Sequence, residues 1–178
     1  MDSPFHPVTR VRPTMVQRLF GRQPPANALV TLIDRLRAAD SVRAVRDAEL
    51  DALGREYCID IRTTFHHDLT GLYREYLVYC LTDRRLSNDE LADLEHLRSL
   101  FGLDAAAVDA VHRTVARQLY LKSVDEVLAD GAVSSEERAF LQRLREDLAI
   151  PEAIAENMLD VKRSQLEAKS RESRKSRK

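Results

Sequence analysis

A chain of 178 residues is long enough for one ordinary domain with a single core, and too short for two large ones. Five glycines, no tryptophan and an excess of Ala, Leu, Arg, Glu and Asp favour helix over sheet, because most of these side chains lose little freedom in a helix. The net charge of −1 conceals basic ends on an acidic body (+3 over 1–25, −10 over 26–161, +6 over 162–178), and no apolar run approaches the ~20 residues that span a bilayer.

The first 25 residues contain Pro4, Pro7, Pro13, Pro24 and Pro25 and no sustained period, which predicts an extended basic arm. Within it Thr14–Arg22 forms a short amphipathic turn suited to docking. The early Asp2 and the lack of an apolar stretch argue against a signal peptide, with a mitochondrial presequence as the minor alternative. From Ala26 a helical domain is expected through residue 161. Leu29, Leu32, Ile33 and Leu36 mark its first helix, before a turn at Ala39–Ser41. A second helix carries Leu50 and Leu53 and is predicted to end near Gly54. Ile61, Phe65, Leu69, Leu72, Tyr73, Tyr76, Leu77 and Cys80 then trace one face of a single longer helix. Cys58 and Cys80 lack the spacing of a metal or redox pair and read as two buried thiols in a reducing, cytoplasmic setting. Tyr73, Tyr76 and Tyr79 read as core packing with hydroxyls at the boundary.

Leu81 to Leu91 matches Leu128 to Arg138 at a constant offset of 47, pairing Asp83 with Asp130, Leu86 with Val133, Ser87 with Ser134 and Glu90 with Glu137. The offset continues through Leu94/Leu141, Leu97/Leu144, Phe101/Leu148 and Leu103/Ile150, predicting a duplicated helix-loop-helix unit with repeats around 75–115 and 122–161. A degenerate earlier copy, Ala39-Asp40 through Leu53, needs gaps. In each copy Ser-x-x-Glu is a capping box, with Leu86 or Val133 as the staple before it. Gly131 suits a helix end, and Arg84 stands there in the first copy. Asp104 is expected to cap the following helix, and Pro151 to open the last one. The whole is expected to be an all-α bundle of about six to seven helices.

These loops resemble those of tellurite-resistance TerB-like helical domains, carried by Asp130-Gly-Ala-Val-Ser-Ser-Glu-Glu137 and, without the glycine, by Asp83-Arg-Arg-Leu-Ser-Asn-Asp-Glu90. The tandem spacing and the run Tyr120–Gly131 also resemble the helical repeats of the large stromal subunit of the chloroplast protein-import complex. The resemblance covers roughly residues 75–160 and rests on short motifs of common residues. The TerB-like resemblance implies a helical bundle in which Asp83, Glu90, Asp130 and Glu137 hold a divalent cation such as Ca²⁺ or Mg²⁺, in a stress-response setting. The import resemblance implies an elongated scaffold, and neither implies an enzymatic activity.

Against the metal reading stands capping alone, the favoured alternative, since a glutamate engaged by its cap has less to offer an ion. The spacing of seven between Asp130 and Glu137 excludes an EF-hand loop. His66 and His67 are neighbours on a helix and face different ways, while His96 and His112 stand alone. No phosphate-binding glycine loop, nucleophile elbow or His-Glu-x-x-His motif is present, so no enzyme is expected. A binding or scaffold module with a protein partner is the favoured reading. The alternative is a nucleic-acid- or ribosome-associated protein docking through its basic termini. Lys162, Arg163, Lys169, Arg171, Arg174, Lys175, Arg177 and Lys178 would supply that electrostatic docking, to nucleic acid or another anionic surface, from a fraying helix end and mobile tail.

Overall fold

The computed structural model describes residues 3–19, 23–83, 86–129 and 133–175; the side chains of Val16, Asp83, Glu167 and residues 169–175 lie outside that description. The described residues are all-helical. Seven long helices form: α2 (Ala26–Ala38), α3 (Asp47–Tyr57), α5 (His66–Cys80), α6 (Asn88–Phe101), α7 (Ala105–Val127), α8 (Ser135–Asp147) and α9 (Glu152–Lys175). Two short ones, α1 (Met15–Leu19) and α4 (Ile61–Thr64), and the 3-10 turns Val42–Ala44 and Leu81–Asp83 join them. The chain divides into two compact units, Met1–Val111 and His112–Lys178, where one domain over 26–161 was expected.

In the first unit α5 packs along α6, α2 along α3, and the turn Val42–Ala44 against α6. Leu32, Leu50, Leu53, Leu69, Leu77, Leu97, Leu100 and Phe101 are almost wholly buried there, each such side chain contributing about 1.5–3 kcal/mol by leaving water. The proline-rich arm joins this core. Phe5 is buried and stacks on Tyr76 with ring centroids 6.0 Å apart. Asn27, buried on α2, accepts the Val11 N–H through Oδ1 at 2.8 Å and donates Nδ2–H to the Val11 carbonyl at 3.0 Å. One amide side chain thus satisfies both polar groups of an extended residue that has no strand partner.

Several local expectations change. Gly54 does not end α3, which runs on to Tyr57. A Cβ at Gly54 would sit 2.8 Å from the Ile59 carbonyl oxygen, so this glycine permits a close return of the chain. The helix ends instead at Cys58, left-handed at φ 56° and exposed rather than buried. The long helix expected from Ile61 is broken at Phe65 (φ −114°, ψ 27°) into α4 and α5. Asp60 Oδ1 accepts the Thr63 N–H at 3.0 Å and starts α4. Of the three tyrosines, Tyr73 and Tyr76 are buried and Tyr79 is about half exposed.

The second unit has its own core of Tyr120, Val124, Val127, Leu128, Leu141, Leu144, Ile150 and Ala155. α9 runs from Glu152 to Lys175, so the charge-rich extension expected of the last helix covers most of the basic stretch. Glu152 in its first turn favours the positive end of the helix dipole.

Candidate functional site

The two Ser-x-x-Glu segments adopt matching geometry. Ser87 Oγ accepts the Glu90 N–H at 3.3 Å, while the Ser87 N–H and Oγ–H both donate to Glu90 Oε2, at 2.8 and 2.7 Å. Ser134 and Glu137 repeat the pattern at 3.2, 2.8 and 2.8 Å. The far ends match as well. After α6 the Gly102 N–H donates to the Ser99 carbonyl and the Leu103 N–H to that of Arg98, both at 3.0 Å. After α8 the Ala149 N–H donates to Glu146 and the Ile150 N–H to Arg145, again at 3.0 Å. Asp104 Oδ1 accepts the Ala107 N–H at 2.7 Å and opens α7.

The carboxylate oxygens proposed for a metal are therefore partly committed. Glu90 and Glu137 each use Oε2 twice within their own caps. The Asp83 side chain, Asp130 and Gly131 lie outside the described residues. Among the described residues no group of three or more His, Cys, Asp or Glu side chains is placed to hold an ion. His96 Nε2 lies 2.8 Å from the Val45 carbonyl, a fastening of α6 to the preceding turn.

Of the basic docking residues, Lys162 is spoken for: its Nζ donates to Asp125 Oδ2 at 2.8 Å. Arg163 faces a groove described below. The side chains of Lys169, Arg171, Arg174 and Lys175, and Arg177 and Lys178 entirely, fall outside the described residues.

The surface feature with the most chemistry lies in the second unit. A groove of about 550 Å³ runs between α8 and α9 over Tyr120 of α7, floored by Leu141, Ala155 and Leu159. Its α8 wall presents Arg138, Gln142 and Arg145, and its α9 wall Glu152, Glu156 and Asp160, with Arg163 one step beyond. These residues recur at three- and four-residue steps, so each wall is one face of its helix. Arg145 pairs with its neighbour Glu146 at 3.2 Å, and among the described residues no ion pair crosses the groove. An apolar floor between a basic and an acidic wall suits an amphipathic helix laid lengthwise. The spacing of Arg138/Arg145 and Glu152/Glu156/Asp160 was legible in the sequence; that the two stripes oppose each other was not.

A second hollow, of about 440 Å³, sits in the first unit beside Cys58 and Arg62. Arg62 is structural: Nε donates to the Leu100 carbonyl at 2.9 Å, and the two terminal nitrogens bind Asp47 and Asp51. The Asp60 carboxyl on its rim is held below its ordinary range, chiefly by the Thr63 amide. One turn and more back along α6, Tyr76 Oη donates to Asp93 Oδ2 at 2.6 Å, and Arg43 bridges Asp89 and Asp93. Burial, then Asp93, raises the Tyr76 hydroxyl far above its usual value. The buried Cys80 thiol is pushed up to about 12, first by burial and then by Glu90, and is inert. Sequence reading missed this network, since Arg43, Tyr76 and Asp93 come from three separate elements.

Comparison with known proteins adds an identity of family. The family model for Tic110, described as a chloroplast envelope transporter, matches residues 26–175. The chloroplastic protein TIC110 of Pisum sativum is 28% identical over 118 residues, covering 65% of this chain and 12% of that protein. TIC110 of Arabidopsis thaliana is 24% identical over 104 residues, 52% of this chain and 10% of its own length. The chain thus spans about a tenth of the curated relatives it matches. No solved structure matches. Family description and relatives alike point to the chloroplast, which overturns the cytoplasmic expectation; that expectation rested on two unpaired thiols, and a stroma-facing thiol looks the same in sequence. With the match running through most of both compact units, the chain belongs to the Tic110 family of chloroplast envelope transporters.

Proposed function

We propose that this chain is a non-enzymatic helical scaffold module working in a protein assembly of the import type, and that it holds a partner helix in the groove between α8 and α9. The observation that carries the reading is the groove's build, an apolar floor between a basic α8 wall and an α9 wall that is acidic up to Arg163. Family membership supports the setting. The fitting partner is an amphipathic helix with apolar residues at i and i+4, acidic residues toward Arg138 and Arg145, and basic residues toward Glu152, Glu156 and Asp160. Affinity capture from chloroplast extract tests it, using the intact chain against the folded double variant Arg138→Glu/Arg145→Glu. A partner set shared by both forms removes the groove from the function.

The divalent-cation reading of the TerB-like type stays a separate proposal. In it Glu90 and Glu137 would offer the oxygen their caps leave less occupied, together with Asp83 and Asp130. Calorimetric titration with Ca²⁺ and Mg²⁺ decides it, and an unchanged melting temperature at millimolar ion leaves these glutamates as caps. Docking of RNA through the basic termini is the competing use of the chain. It predicts binding that falls steeply with salt and survives the groove variant.

A further inference from the structure

The two most exposed large apolar side chains among the described residues are Met15, 88% exposed, and Leu19, 81% exposed. They stand four apart on α1 and so share a face, and Arg18, three beyond Met15, lies beside them. Val8 and Val11 on the same arm are about half exposed. This presentation is built rather than incidental. Thr14 and Gln17 cap α1 reciprocally: Gln17 Oε1 accepts the Thr14 N–H at 2.9 Å and Thr14 Oγ1 accepts the Gln17 N–H at 3.3 Å. The arm below is fastened by buried Phe5 and by the Asn27 clamp on Val11. The short helix is thus held on a fixed base with its apolar pair turned outward.

Charge says what covers it. From Ser3 to Ile33 the sequence contains no carboxylate, and it contains Arg10, Arg12, Arg18 and Arg22. Arg10 is paired with Asp34 at 3.3 Å, while Arg12 and Arg18 are exposed. We propose that the N-terminal arm is a peripheral docking surface for an anionic lipid bilayer, with Met15 and Leu19 entering the acyl boundary and Arg12 and Arg18 meeting lipid phosphates. A five-residue helix offers far less than the roughly 800 Å² per partner that a stable protein interface needs. Partition into a bilayer has no such minimum, because each apolar side chain contributes alone and arginine stems reach along it to the headgroups. No described helix is long and apolar enough to cross a membrane. The inference is independent of the groove and its partner.

Because the chain has no tryptophan, Leu19→Trp in the intact chain places a single tryptophan in the patch, excited at wavelengths that the tyrosines do not absorb. With phosphatidylcholine vesicles containing about one-third phosphatidylglycerol, its emission shifts to the blue and the protein co-sediments; with phosphatidylcholine alone both effects are weak. Met15→Ser/Leu19→Ser lowers the binding about tenfold or more, and Arg12→Glu/Arg18→Glu removes most of its salt dependence. Neutralising the other basic end (Arg174→Gln/Lys175→Gln/Arg177→Gln/Lys178→Gln) leaves the emission shift in place. An unshifted emission overturns the proposal, as does sedimentation indifferent to the serine pair or abolished by the C-terminal variant; circular dichroism verifies that each variant is folded.

Discussion

α6 and α8 open on the same capping box and close on the same left-handed turn, yet they carry different loads between those ends. α6 buries Leu94, Leu97, Leu100 and Phe101, whereas α8 buries Leu141 and Leu144 alone. At the offset of 47, the exposed Asp147 stands where α6 has the buried Leu100, while the groove-lining Arg138, Gln142 and Arg145 stand where α6 has Leu91, Glu95 and Arg98, none of them buried. Polar partners diverge at the same offset. Tyr76 and Asp93 are hydrogen-bonded in the first unit; their counterparts are Ser123 and Phe140. Ser123 is fully buried and its Oγ has no hydrogen-bond partner among the described residues. Local capping is therefore a modest, sequence-near device that persists, while what is buried between the caps differs from one helix to the other.

The largest test of that difference is core truncation. Leu97→Ala should cost about 3–5 kcal/mol and Leu144→Ala about 2–3, because Leu97 is wholly buried whereas Leu144 keeps 6% of its surface exposed. Urea unfolding followed by far-ultraviolet dichroism reads both, and equal losses would mean that α8 is as deeply packed as α6. The polar pair comes next. Tyr76→Phe removes a bond to a charged, mostly buried carboxylate and should cost about 1.5–3 kcal/mol, while Ser123→Ala removes an orphaned hydroxyl and should be neutral or stabilising by up to about 1 kcal/mol. A destabilised Ser123→Ala would reveal a partner for that hydroxyl.

The C-terminal turns then give opposite signs for mirror substitutions. Gly102 has φ 66° and a Cβ there would meet Arg62 Cδ at 3.1 Å, so Gly102→Ala should cost about 1–2 kcal/mol. Ala149 holds the same conformation at φ 50°, and Ala149→Gly should gain about 0.5–1 kcal/mol after glycine's greater unfolded freedom is allowed for. Two changes of the same sign would deny that the turns are equivalent. Smallest is the comparison where no difference is expected: Ser87→Ala and Ser134→Ala should each cost about 1 kcal/mol, and a clear inequality in thermal melts would show that one cap does more than its geometry requires.

The proline-rich arm shows why sequence reading stops where it does. Five prolines predict an extended segment, since proline fixes φ and cannot donate to a helix. They do not announce that Phe5 is core or that Asn27 exists on α2 to receive Val11, because both contacts join residues with no common period. The bound on the metal reading is of the same kind. The Glu90 and Glu137 boxes were legible from four-residue motifs, but whether carboxylates from separate loops meet is a question of tertiary placement.

What the amino-acid order determined by itself is everything governed by neighbours within one or two helical turns: the all-helical class, the Ser-x-x-Glu starts, the stop at Gly102, the start at Asp104, and the alternation of apolar and charged faces along α8 and α9. Interactions of that range are encoded by spacing alone. Only the tertiary structure decided that Gly54 serves a close chain return instead of a helix end, that Phe65 breaks a run of perfect apolar period, that Cys58 is exposed while Cys80 is sealed, and that a basic face and an acidic face stand opposite each other. Each of these depends on which surfaces meet once the loops have closed, and a residue's own period carries no information about the element on the other side.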